Sequence, residues 1–126
     1  MNIPDIKIKR AYVAASPDDG YRVLVDKLWP RGIRKEDLKL DLWPKNLITV
    51  STGLREWYHA DEENRWDEFR HRYQLELEQS SGLQEFLDDI KNKKKVTLVY
   101  GAKDTLHNHA LVLRDFLLKK LKKKEQ

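Results

Sequence analysis

The hydrophobic positions of this chain follow two periodicities, and the change between them lays out a fold. In IKIKRAYV, Ile6 and Ile8 alternate with Lys7 and Lys9, the mark of a strand with one wet face near a sheet edge. SPDDG (Ser16 to Gly20) reads as a turn, with Pro17 presetting φ and Asp19-Gly20 supplying turn chemistry. Val23-Leu24-Val25, within YRVLVD, and VTLVYGA (Val96 to Ala102) do not alternate; short continuous apolar runs suit strands buried on both faces. Between them the period lengthens. Ser51 is placed to cap a short helix carrying Leu54, Trp57 and Tyr58, and a longer amphipathic stripe follows through Trp66, Phe69, Tyr73 and Leu77. Ser81 and Gln84 have capping-box spacing ahead of Leu83, Phe86, Leu87 and Ile90. Leu106, Ala110, Leu113, Leu117 and Leu121 make a final helical stripe, while LKLDLW (Leu38 to Trp43) suits a short strand or an extended connection. The pattern predicts a single α/β domain over residues 1–126, three-layered, with a small, largely parallel sheet flanked by helices.

Composition narrows this picture. A length of 126 residues supports one real core, and the absence of cysteine excludes disulfides and thiolate chemistry. The opening MNIPDIKIKR is unlike a signal peptide, and no apolar run approaches the roughly 20 residues that span a bilayer, so a soluble cytoplasmic protein is expected. The net charge of +4 invites a nucleic-acid reading, but the basicity is local. KNKKK (Lys91 to Lys95) and KKLKKK (Lys119 to Lys124) hold nine lysines, and without them 16 basic residues face 21 acidic ones. Such runs are read as solvated features, one a loop before a strand and the other a frayed lysine-rich tail from about residue 119.

Candidate chemistry gathers where two apolar runs end. Asp26 follows the first, and the rigid Trp29-Pro30-Arg31-Gly32 turn comes next; Tyr100 to Asp104 follows the second. If the two strands are parallel neighbours, both ends open on the sheet edge where α/β ligands bind. Asp26, Trp29 and Arg31 also have structural readings, as a turn cap, a packing ring and a surface charge or partner of Asp26. In KDTLHNHA, Asp104 or Thr105 is expected to cap the last helix, placing His107, Asn108 and His109 in a first turn whose N–H groups attract anions. Lys103, and Arg31 if the loops meet, would add charge-assisted donors. The site expected is an anion site for a phosphate- or carboxylate-bearing small molecule, with acid–base work by His109 and Asp26 as a possible addition.

Rival readings stay open. His107 and His109 would point about 200° apart on a helix, so a metal-dependent enzyme would need His59 or His109 with carboxylates, and H-E-x-x-H is absent. G-x-S-x-G, G-x-G-x-x-G and a P-loop are absent too. A nucleic-acid or regulatory module would rely on the lysine runs, without helix-turn-helix context around WPRG. The identity of any cofactor is left open.

Three blocks carry a family resemblance. DGYRVLVDKLWPRGIRKEDL, LREWYHADEENRWDEFRHRYQLEL and VTLVYGAKDTLHNHALVL, in that order, resemble the DUF488 family in its short YeaO-like branch, from about Lys7 to Leu118. The resemblance implies a small cytoplasmic bacterial α/β domain and supplies no reaction. It draws attention to Arg22, Asp26, Trp29 to Gly32, Arg55, His59, Tyr100, Asp104 and Asn108 to Ala110. Lys27 stands where members often carry Arg, and Val50-Ser51 where they often carry Pro-Ser. A longer branch has a cysteine near the position of Asn108-His109; its absence here rules out transfer of cysteine-dependent chemistry. The expected site therefore places Asp26 and His109 as catalytic or proton-handling groups, with Trp29, Arg31, Arg55, His59, Lys103, Asp104 and Asn108 around the ligand.

Overall fold

The computed structural model describes residues 3–125; Met1, Asn2 and Gln126 lie outside the described residues. These residues form strands β1 (Asp5–Arg10), β2 (Tyr21–Leu24) and β3 (Lys95–Tyr100), and helices α1 (Lys35–Leu38), α2 (Thr52–His59), α3 (Glu62–Gln79), α4 (Leu83–Ile90) and α5 (His109–Glu125). The strands make one parallel sheet in the order β1-β3-β2. Its central strand is the continuously apolar VTLVY run, because β3 is covered on both faces. Val23, Val25, Val96, Leu98 and Tyr100 point into the large core under α2 to α5, with Ile6 at the β1 edge. The alternate residues Leu24 and Val99 meet Leu38, Trp29 and Trp43 in a second, smaller cluster on the other face. The wet alternation of IKIK is explained by the position of β1 at the sheet edge.

The Ser16–Gly20 segment turns through a single 3₁₀ turn (Pro17–Asp19) into Gly20 at φ 63°. A Cβ on Gly20 would lie 2.5 Å from the Lys95 carbonyl oxygen, so the turn needs glycine for conformation and for space. Leu38 to Trp43 proves to be an extended connection that borders β2: Leu42 bridges Val23 in parallel, and Leu24 N–H donates to the Leu42 carbonyl. Ser51 caps α2 by accepting from Leu54 N–H. The long stripe of α3 buries Phe69, Tyr73 and Leu77 as its spacing requires.

Two local expectations differ. Helix α4 has Gly82 at its N-cap with no side-chain cap, rather than the Ser81–Gln84 box. Ser80 holds that corner, its hydroxyl accepting from Gly82 N–H and donating to the Leu47 carbonyl. Helix α5 starts at His109, later than a cap at Asp104 or Thr105 implies, so Leu106 falls in the preceding loop and is 73% exposed. At its other end α5 continues through the lysine run to Glu125, and Leu121 packs into the core. No helix among the described residues is long and apolar enough to cross a membrane.

Candidate active site at the carboxyl ends of the strands

Past the end of β2, Val25 N–H still donates to the Val99 carbonyl at 3.0 Å, so the chain leaves the sheet beside the end of β3. Asp26 is the next residue, and three contacts fix it. Its Oδ2 accepts from Gly101 N–H at 2.8 Å, and its backbone carbonyl accepts from the Trp43 indole at 2.8 Å. Its Oδ1 lies 2.7 Å from Nε2 of His109. Gly101 allows the approach, since a Cβ there would sit 2.9 Å from Asp26 Oδ2. The two residues, 83 positions apart in sequence, thus form one partly buried pair, as parallel pairing of β2 with β3 requires. The His109 ring also meets Tyr73 edge-on, with centroids 6.4 Å apart. Burial, reinforced by the charges of Glu76 and Asp26, pushes the Tyr73 hydroxyl well above its ordinary pKa, and it donates to the Ile48 carbonyl at 2.5 Å.

The pair opens on a cavity of about 550 Å³, within the range of small-molecule sites. Asp26, Lys27 and Trp29 line it from the loop after β2; Arg55, Tyr58 and His59 line it from α2; Lys103, Asp104, Asn108 and His109 line it from the loop into α5. The structure therefore brings together every nominated residue except Arg31. Arg31 is exposed and is not part of the lining; its backbone carbonyl accepts from the Tyr12 hydroxyl at 2.9 Å. The turn, with Gly32 at φ 83°, instead aims Trp29: its indole donates to the Ile33 carbonyl at 2.7 Å and its ring stands edge-on to Trp43 at 5.4 Å. Nor does Arg31 pair with Asp26, whose partner is His109.

The charges around the cavity are unevenly engaged. Each lining carboxylate has a histidine: Asp26 with His109, Glu62 with His59 at 2.8 Å, and Asp104 with His107 at 3.3 Å. Asp104 also accepts the N–H groups of Leu106 and His107, which hold its carboxyl below the usual range. Asn108 caps α5, its Oδ1 accepting from Leu111 N–H and its amide donating to the Asp104 carbonyl, so its side chain is mainly structural. Arg55 differs. Its Nε is buried without a hydrogen-bond partner, alone in that state among the buried side-chain nitrogens and oxygens of the described residues.

Several contributors carry little signal in sequence. Glu62 stands three residues after His59 across a helix junction, a spacing that could have nominated it. Gly101 directly follows an apolar strand, a place where close backbone approach is common. Trp43, which anchors Asp26, and the apolar wall residues Val50 and Phe69 read only as core. For metal binding, His59 and His109 each hold their own carboxylate, and the described residues contain no group of three or more His, Cys, Asp or Glu able to hold an ion.

A family model described as "Inactive DUF488-N3 subclade" matches residues 5–126. The chain is 50% identical over 113 residues to "Uncharacterized protein YeaO" of Escherichia coli, covering 90% of this chain and 96% of that protein. It is 44% identical over 112 residues to "Uncharacterized protein Rv3073c" of Mycobacterium tuberculosis, covering 89% of this chain and 92% of the relative. No solved structure matches.

Proposed function

The chain belongs to the inactive DUF488-N3 subclade, and we propose that it is a binding protein for a small phosphate- or carboxylate-bearing anion, held in the cavity at the carboxyl ends of the strands. The observation that carries this reading is Arg55: it stands on the cavity lining with no ion pair or hydrogen bond from its side chain to the described residues, while all three lining carboxylates are engaged by histidines. An anion that meets the Arg55 side chain from the cavity would give it a charge-assisted partner. His109 stands beside it on the lining, its Nε2–H donating to Asp26. Asp26 holds the ring in place, and Lys103 at the exposed rim adds attraction.

The same Asp26–His109 pair favours a second reading, acid–base catalysis, because a carboxylate-oriented imidazole facing a cavity is able to move a proton. The family's description as inactive weighs toward binding without turnover. A thermal-shift series with inorganic phosphate, phosphate esters and organic acids tests the binding reading. Stabilisation by at least one of these anions, removed in Arg55→Ala, is the expected result; full retention in Arg55→Ala would refute it. Chemical change of a bound compound, abolished in His109→Ala, would instead establish the catalytic reading.

A further inference from the structure

We propose that the ligand is a monoanion carried on an uncharged apolar ring, as in an aromatic carboxylic acid, and not a free inorganic ion or a multiply charged nucleotide; this rests on the anion-binding reading above. Size is the first ground. A cavity of about 550 Å³ far exceeds what a bare phosphate or acetate fills. The second is the character of the walls. Tyr58 and Phe69 stack with centroids 4.4 Å apart, and Val50 and Val25 extend that face. Trp29 and Pro30 stand on the lining from the other loop. The Trp29 N–H is already committed to the Ile33 carbonyl, so the ring offers the cavity apolar surface only. Burial and the charges of Glu62 and Asp104 raise the Tyr58 hydroxyl above its ordinary pKa, which keeps that wall neutral. Val25, Val50, Tyr58 and Phe69 are buried, and the partly exposed Trp29 ring is the apolar surface that a ligand without an apolar body would leave wet.

The rim points the same way. Leu28, 60% exposed, lines the cavity. It is one of the few large hydrophobic side chains that the described residues leave in water, and a ligand body would cover it. Charge sets the third limit. Arg55, Lys27 and Lys103 on the lining are matched by Asp26, Glu62 and Asp104, so the site has no net surplus of fixed positive charge for a multiply charged ligand. A second or third ligand charge would meet those carboxylates at short range in a partly enclosed site.

Isothermal titration calorimetry with 2-naphthoate, 2-naphthylmethanol, acetate, inorganic phosphate and ATP separates the elements of this proposal. We expect 2-naphthoate to bind at least about tenfold more tightly than each of the others, and Arg55→Ala to reduce it to the level of 2-naphthylmethanol. Arg55→Gln serves the same purpose if the alanine variant does not melt cooperatively. Acetate or phosphate binding as well as 2-naphthoate, with Arg55 dependence, would overturn the apolar-body inference and leave the anion reading standing. Tighter binding of ATP would overturn the monoanion limit. Equal binding of 2-naphthylmethanol and 2-naphthoate would overturn the anion reading itself, and with it this proposal. Failure of all five to bind would overturn both.

Discussion

Two aspartates bracket β2, and they have opposite fates. Asp19, just before the strand, is fully buried and meets three cations: Lys7 and Lys9 at 3.1 Å and Arg22 at 2.5 Å. It also accepts from Ser16 N–H. Asp26, just after the strand, is partly exposed and has one histidine and one backbone N–H. Burial by itself would raise the Asp19 carboxyl, but the Ser16 N–H and the three cations outweigh it and hold the group well below the usual carboxylate range. Saturated in this way, Asp19 has no capacity left for a ligand. It joins β1, the 3₁₀ turn and β2 into one unit, and the Arg22 guanidinium extends the link by donating to the Leu38 carbonyl. The less coordinated carboxylate is the one that faces a cavity.

The largest expected effect tests the structural half of this contrast. Asp19→Ala leaves Arg22 buried without its carboxylate and should cost about 3–5 kcal/mol in denaturant unfolding. A loss under about 1 kcal/mol would show that the cluster is not a lock. The second effect is its dependence on pH. Because the folded carboxyl titrates below the unfolded one, its contribution is complete above about pH 4 and is lost as pH falls from there toward the folded value. Between about pH 4 and pH 2 the wild type should therefore lose stability more steeply than Asp19→Asn, by up to about 1.4 kcal/mol per pH unit. Parallel slopes would contradict the assignment.

Smaller effects probe the other aspartate and its loop. Asp26→Asn retains an acceptor for Gly101 N–H and loses a partly solvated partner of His109, so it should cost about 1 kcal/mol, well below Asp19→Ala. An equal cost for the two would dissolve the comparison. Smallest of all, Arg31→Ala should change stability by less than about 0.5 kcal/mol and leave any 2-naphthoate response intact, because the side chain is exposed and outside the cavity lining. Loss of that response would return Arg31 to the site.

Much of this was legible beforehand because it follows from local chemistry. Continuous Val-Leu-Val runs marked the buried strands, Ser51 marked the start of α2, and strand-end positions nominated Asp26 and His109. The errors fell where two local signals competed. Asp104 and Asn108 are both good caps, four residues apart; Asp104 caps a turn and Asn108 caps the helix, which removes Leu106 from the helical stripe. Arg31 and Arg55 were equally plausible anion donors by residue type. Only the direction in which each backbone leaves its element separates an exposed arginine from one facing the cavity.

The lysine runs make the same point in reverse. They decide the sign of the net charge, yet Lys91, Lys93, Lys94 and Lys122 converge around a groove beside Asp5 and Ile6, at the amino ends of the strands and away from the Asp26–His109 pair. Periodicity, capping residues and turn chemistry act over a few neighbours, so the sequence by itself determined the elements, the α/β class and the strand ends where chemistry collects. Which carboxylate is saturated and which is left facing a cavity, and which arginine stays unpartnered, depends on groups up to 83 residues apart meeting in space. Electrostatic and hydrogen-bond energies fall off over a few ångströms, so those assignments were decided only when β3 inserted between β1 and β2 and carried α5 to the end of the sheet.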